Sequence, residues 1–300
     1  MPESPSIKIT ASIVTYRSGP VITSCIEHLK ASTSQPLEIV VFDNASNDDT
    51  LQQLAPFGQQ IRVVRNPENL GFGQGHNQAL AGARGDYFLI LNPDIELPPG
   101  GLDRLLEYLE ARPECGAVAP LLDEKSSSGP TGFSKKYPGE RYAPRSFAAL
   151  PGECAFLQGA CLLIRAGLYR DIGGFDPRYF LYAEDLDLSL EIRKRGFTLA
   201  YLTDLQVCHL GGHSEKGRPS SSVAKRKYAG LVLFYRKHYP SYTNFILLTR
   251  DGMKFSTRYL GLVLFGQATS EKAAEYKGRL QAWWSALFRL QAPRSPTRVN

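Results

Sequence analysis

Residues Ile61 to Asp94 read IRVVRNPENLGFGQGHNQALAGARGDYFLILNPD. Two short strand-like runs, Ile61–Val64 and Tyr87–Leu91, flank a glycine-studded turn and a segment with helical character over Gly75–Arg84. Both read as strands, and Tyr87–Leu91, apolar throughout, lacks the alternation of a strand with one wet face, so it reads as covered on two sides. A strand, a crossover helix and a second strand in succession predict a parallel pair.

The same alternation continues on either side. Strands are expected at Ile9–Tyr16, Leu37–Asp43, Ala117–Ala119 and Ala160–Ile164, and a strand pair at Leu199–Leu202 and Gln206–Leu210. Helices are expected at Pro20–Ala31, Asp48–Leu54, Gly100–Ala111 and Ala166–Arg170. The fold class is α/β, a mainly parallel sheet flanked by helices. Residues 121–155 break the pattern with Gly, Pro, Ser and charge, the composition of a functional loop.

The chain has 300 residues, 43% apolar and 21% charged, as in globular proteins generally. Its N-terminus lacks the basic and apolar regions of a secretory signal, and no run approaches the roughly 20 apolar residues of a membrane span. Five scattered cysteines without a C-x-x-C pair suit free thiols in a reducing compartment, so a cytoplasmic location is expected. The net charge of +6 is unevenly spread: Lys225–Asn300 carries 14 Lys or Arg against three acids. That excess predicts an anionic partner for the last quarter.

Two predicted strands end in chemically similar ways, one in Asp43-Asn44 and the other in Asn92-Pro93-Asp94. Ligands of open parallel sheets bind beyond the carboxyl ends of the strands. Asp43 and Asn44 suit either a ligand site or a turn that caps the next helix. Asp94 follows a proline that fixes the backbone, and a lone carboxylate there suits Mg²⁺ or Mn²⁺ shared with phosphates. Gly71, Gly73 and Gly75 do not form a dinucleotide fingerprint, since they do not follow the first strand; they suit close approach to a ligand or a tight turn. His209 and His213 are four apart, but Gly211-Gly212 between them predicts a loop.

Together the motifs resemble those of family 2 glycosyltransferases, inverting enzymes of the GT-A type, and within them a bacterial rhamnosyltransferase-like group. The resemblance rests on SIVTY (Ser12–Tyr16), VFDNASNDDT (Val41–Thr50), NLGFGQGHN (Asn69–Asn77) and LNPD (Leu91–Asp94). It continues through QGACLLIRA (Gln158–Ala166), GGFDPRYFLYAEDLDL (Gly173–Leu188) and HLGGHS (His209–Ser214). It implies a Rossmann-like half over about 1–120 for a dTDP- or UDP-sugar donor and an acceptor half over 121–240. A basic helical extension over 241–300 follows. Thr15, Tyr16, Asp43, Asn44, Asn69, Gly71, Asn77, Asn92 and Asp94 are then expected to bind the nucleotide-sugar, and Asp94 with His209 a divalent metal. NPD replaces the usual D-x-D, leaving one carboxylate rather than two.

Three carboxylates cluster at Glu184, Asp185 and Asp187, after Tyr179, Phe180 and Tyr182. By resemblance Asp185 is the general base and Glu184 its neighbour, with Asp187 a helix-start residue and the aromatics an acceptor wall. The expected activity moves a sugar, L-rhamnose being one candidate, to a saccharide or lipid-linked acceptor for bacterial surface polysaccharide. A sugar-phosphate nucleotidyltransferase and a non-catalytic nucleotide-sugar-binding subunit are the alternative readings. Leu280, Trp283, Trp284, Leu287 and Phe288 line one face of a basic segment with Lys277, Arg279 and Arg289. That face suits either peripheral contact with the inner side of the plasma membrane or docking within the protein. No nucleic-acid motif accompanies it, and a homodimer is compatible with the sequence.

Overall fold

The computed structural model describes residues 6–124, 131–143, 145, 147–210 and 219–288. The expectations for His213 and Arg289 lie outside them. The chain forms two compact units, Met1–Lys216 and Gly217–Asn300.

In the first unit the strands are β1 (Ile9–Thr15), β2 (Leu37–Asn44), β3 (Arg62–Asn66), β4 (Tyr87–Leu91), β5 (Ile95–Glu96) and β6 (Cys115–Glu124). They continue with β7 (Phe133–Ser134), β8 (Phe156–Leu157), β9 (Cys161–Arg165) and β10 (Thr198–His209). The helices are α1 (Gly19–Ala31), α2 (Thr50–Leu54), α3 (Phe72–Leu80), α4 (Gly101–Glu110), α5 (Ala166–Ile172) and α6 (Glu184–Lys194). Eight strands form one sheet in the order β3-β2-β1-β4-β9-β6-β10-β5. β1, β2, β3 and β4 are mutually parallel, and β9 runs antiparallel between β4 and β6.

The unbroken apolar strands have the expected cause. Along β4, Tyr87, Leu89 and Leu91 face a core shared with α1 and α4, while Phe88 and Ile90 face a second core shared with α5 and α6. All five are buried. At about 1.5–3 kcal/mol for each large apolar side chain, β4 contributes on the order of 10 kcal/mol of burial, most of it offset by chain entropy. The strand pair expected at 199–210 is instead one strand: β10 pairs with β6 throughout, with a register shift between Leu202 and Gln206. An irregularity there absorbs Thr203–Leu205 without a turn.

The second unit holds α7 (Ser220–His238), α8 (Ser241–Leu264) and α9 (Glu271–Phe288). α7, which precedes the expected boundary at 240, thus belongs to the same unit as the two later helices. Tyr228, Val232, Phe255, Ala282 and Ala286 form its core, with Leu280 and Trp283 packed against them. A side chain at Gly252 would meet the Trp283 ring at 2.3 Å, and Trp283 donates its indole N–H to the Leu248 carbonyl at 2.8 Å. The apolar stripe read on α9 is therefore divided: Leu280 and Trp283 face inward, and Trp284 and Leu287 are exposed.

Candidate active site

The strand registers set Thr15 opposite Asp43 and Ile13 opposite Leu91, so β1, β2 and β4 present their carboxyl ends on one rim. Asp43 is buried there, accepting from the Thr15 hydroxyl at 3.1 Å and the Ser46 amide at 3.3 Å. Tyr16 follows Thr15, half-buried and 5.3 Å from the Arg17 guanidinium. Arg17 and Ala45, immediately beyond the two strand ends, both adopt left-handed φ, of 58° and 64°. Such strain costs of order 1–3 kcal/mol per residue and gathers at ligand sites.

Asn44 shapes the glycine-rich turn rather than capping α2. Its amide donates to the Gly71 carbonyl at 2.9 Å and accepts from the Leu70 amide at 2.8 Å. Asn69 closes the turn by accepting from the Gly71 amide at 2.9 Å. Gly71 has φ 87°, and a Cβ there would sit 2.0 Å from the Phe180 carbonyl oxygen. That carbonyl accepts the Phe72 amide at 2.9 Å, tying the turn to the aromatic segment before α6. Asn77 lies further along α3 with its amide directed inward. It accepts from the Tyr169 hydroxyl at 2.7 Å and the Phe175 amide at 2.9 Å, and donates to the Phe175 carbonyl at 2.7 Å.

At the end of β4, Asp94 and His209 converge, with Oδ1 and Nε2 3.4 Å apart and both residues buried. Asn92 Nδ2 lies 3.5 Å from the same imidazole nitrogen. β5 and β10 set this meeting, since His209 pairs directly with Ile95. Among the described residues no three His, Cys, Asp or Glu side chains form a metal cage. One carboxylate and one imidazole nevertheless suit a hard divalent ion whose other positions go to diphosphate oxygens and water.

The carboxylate cluster lies at the head of α6. Tyr182 and Ala183 both have left-handed φ, of 76° and 70°, so two non-glycine residues are strained just before the acids. Asp185 accepts from the Gly159 amide at 3.1 Å and from the Leu186 amide at 2.8 Å. The next residue, Ala160, accepts the Asn92 amide at 2.8 Å. The loop entering β9 therefore joins Asp185 to the Asp94 rim through two adjacent residues. Neither Gly159 nor the main chain of Phe180 carries a side-chain signal in the sequence, and the antiparallel pairing of β9 with β4 is what brings 158–160 to the rim.

Burial and the adjacent Asp185 carboxylate push Glu184 up to about 8, and one of its carboxyl oxygens is buried with no hydrogen-bond partner. Burial also raises Asp185, with the amides of Gly159 and Leu186 opposing the rise. A protonated Glu184 removes the repulsion that the clustering suggests. Asp187 does more than start the helix: it is buried and accepts from the Tyr179 hydroxyl at 3.3 Å. Tyr179 is likewise core, not wall. Of the three aromatics only Phe180, 44% exposed, and the half-buried Tyr182 reach the surface.

Sequence reading did not single out Arg193. Buried on α6, it donates to the carbonyls of Leu150, Pro151 and Gly152 and to the Tyr137 hydroxyl, clasping the loop that follows β6. His76 also went unremarked; fully buried, it contacts Ser12 Oγ through Nδ1 at 2.7 Å, and burial depresses it to about 3.

Residues 10–173 match the model of glycosyl transferase family 2, and residues 97–290 that of glycosyl transferase family group 2. The chain is 28% identical over 262 residues to N-acetylglucosaminyl-diphospho-decaprenol L-rhamnosyltransferase of Mycobacterium tuberculosis, covering 75% of this chain and 83% of that protein. It is 25% identical over 224 residues to rhamnosyltransferase WbbL of Escherichia coli, covering 68% and 84%. In fold it is similar to the mannosyltransferase PcManGT of Pyrobaculum calidifontis, solved with GDP-Man and Mn²⁺ (TM-score 0.58, 18% identity, 95% of this chain and 87% of that one). It is equally similar to S. aureus TarS 1–349 with UDP-GlcNAc (TM-score 0.58, 17% identity, 94% and 80%). The architecture is the GT-A fold, with helices after the sheet.

Proposed function

Because the chain belongs to glycosyl transferase family 2 and is a nucleotide-sugar-dependent glycosyltransferase, we propose that it inverts and transfers a deoxyhexose, L-rhamnose first among candidates, onto a lipid-linked saccharide of a bacterial envelope polysaccharide. The observation that carries this reading is the position of Asp185: it is held by the Gly159 amide, and the next residue, Ala160, bonds the Asn92–Asp94 rim.

Thr15, Tyr16, Asp43, Asn44 and the Asn69–Gly71 turn form the nucleoside end of the site, on the rim common to β1 and β2. Asn77 supports that end from behind through Tyr169 and Phe175. Asp94 and His209 would hold Mg²⁺ or Mn²⁺, with Asn92 beside them. A divalent ion there offsets the negative charge that develops on the leaving diphosphate. The acceptor hydroxyl oxygen attacks the anomeric carbon as Asp185 takes its proton, and the bond to the diphosphate breaks with its electron pair. One displacement needs no nucleophilic carboxylate. Glu184, neutral by burial, leaves the charge on Asp185 and lines the base's inner side.

The relatives' names support rhamnose and a decaprenyl diphosphate-linked acceptor, and a cytoplasmic protein in peripheral contact with the membrane follows from such an acceptor. The test is to incubate the chain and Mn²⁺ with dTDP-L-rhamnose, UDP-GlcNAc or GDP-mannose and a short polyprenyl-diphosphate saccharide. Rhamnosylated product of inverted anomeric configuration is expected. Nucleotide-sugar formation from a sugar phosphate would favour the nucleotidyltransferase reading instead. Donor binding with neither transfer nor hydrolysis would favour a non-catalytic subunit.

A further inference from the structure

The helical unit carries an apolar face that its own core does not use. Along α8, Thr243, Leu247, Asp251, Gly252 and Phe255 are buried. The opposite side shows Tyr242, Phe245, Met253, Leu260 and Leu264, each at least 56% exposed, and ends in Phe265 at 84%. Ten of the eleven exposed large hydrophobics among the described residues belong to this unit, and eight lie on or directly after α8. Isolated exposed apolar side chains are ordinary, whereas a continuous face marks a binding surface. At 1.5 Å per residue this one runs about 35 Å.

Charge indicates what covers it. Residues 219–288 contain eleven Lys or Arg against three acids. One of the acids, Asp251, is buried and taken up by Arg250 and the Tyr228 hydroxyl. Lys254 and Arg258 are exposed one turn apart on another side of α8. On the flank of the apolar face that carries Ser256 and Tyr259 opens a cavity of about 620 Å³, lined also by Lys225, Lys277, Trp283 and Trp284. Aromatic walls with two ammonium groups at the mouth suit a phosphate headgroup on an apolar stem. No described helix is long and apolar enough to cross a membrane, so the chemistry is that of a helix lying in the interface. A second copy is disfavoured, because pairing would bring together two units that each carry eleven basic residues against three acids over 219–288.

We propose that the helical unit docks on an anionic bilayer surface through the exposed face of α8, with a lipid headgroup phosphate in the Lys225–Lys277 cavity. The surface-seeking helix is thus α8, while the Trp-bearing α9, for which the sequence left membrane contact and docking both open, packs Trp283 inward. This holds whichever sugar the enzyme transfers.

The test is flotation of the full chain with phosphatidylcholine vesicles and with vesicles containing phosphatidylglycerol, at low and high salt. The chain should float with the anionic vesicles only, and less at high salt. Lys225→Gln with Lys277→Gln should weaken partitioning about thirty-fold, from roughly five-fold per basic residue at an anionic surface. Phe245→Ser with Leu264→Ser should release the chain even at low salt. Both pairs are exposed, so transfer to a water-soluble acceptor and the thermal midpoint should stay at the wild-type level. Equal binding to neutral vesicles, or variants that float like wild type, would overturn the proposal. So would a concentration-dependent dimer that the Phe245→Ser/Leu264→Ser pair abolishes, which would assign the face to a second copy.

Discussion

The Phe72 amide donates to the Phe180 carbonyl at 2.9 Å, joining the nucleotide-side turn to the segment that leads into the carboxylate helix. The join is close because Gly71 has no side chain: any Cβ would collide with that carbonyl. Gly71→Ala must push the two segments apart and place alanine at positive φ. It should cost about 1–3 kcal/mol, read as a lower denaturant midpoint, and should weaken donor binding and transfer together. A variant with wild-type stability and donor affinity would show that the contact is not needed.

Asp185→Asn keeps the shape of the side chain and its acceptance from the Gly159 amide while removing the base. Transfer should fall by about 10²–10⁴, and calorimetric donor affinity should change little. Undiminished turnover would remove Asp185 from the role proposed for it.

Glu184 makes a pH prediction. Its folded-state pKa is raised to about 8 from an ordinary 4.5, so between those values the folded chain holds a proton that the unfolded chain releases. The stability associated with that proton is present in full below the unfolded value and is lost as pH rises towards 8. Glu184→Gln, which mimics the neutral form, should flatten this decline in urea titrations run from pH 5 to 8. Parallel pH profiles for the two proteins would contradict a protonated Glu184.

Asp94→Asn should separate metal from nucleotide. With wild type, a saturating donor should raise stability further when Mn²⁺ is added, by about 2.7 kcal/mol if the ligand is a hundred-fold over its Kd. The variant should lose the increment due to Mn²⁺ and keep most of that due to the nucleotide. An equal Mn²⁺ increment in both proteins would place the ion elsewhere.

Arg193→Lys preserves the charge but cannot reach three carbonyls and a hydroxyl at once. It should destabilise by about 2–4 kcal/mol through unpaired buried groups and expose 131–157 to limited proteolysis. Unchanged cleavage of that segment would argue against the clasp.

Much of the fold was legible in order and composition. Continuous apolar runs such as Tyr87–Leu91 announced strands covered on both faces, because only a parallel sheet between helix layers buries every residue of a strand. Asp43 and Asp94 stood out for a related reason: acids following such runs fall where parallel strands open. What the linear pattern missed were long-range choices. Asp187 stands in the first turn of α6 as expected, yet it also takes the Tyr179 hydroxyl, and Tyr179, expected as wall, is core. Trp283 docks and Trp284 is exposed, a division the sequence left open because an apolar stripe reads the same whether it is docked or bare.

The sequence by itself determined the alternation of strands and helices and the acids at two strand ends, since local periodicity and terminal polarity are carried by neighbouring residues. Only the tertiary structure decided that β9 runs antiparallel beside β4. That pairing sets the Gly159 amide against Asp185 and the Ala160 carbonyl against Asn92. These bonds use main-chain groups that every residue possesses, so no side-chain code announces them. They exist only once residues far apart in the chain share one rim.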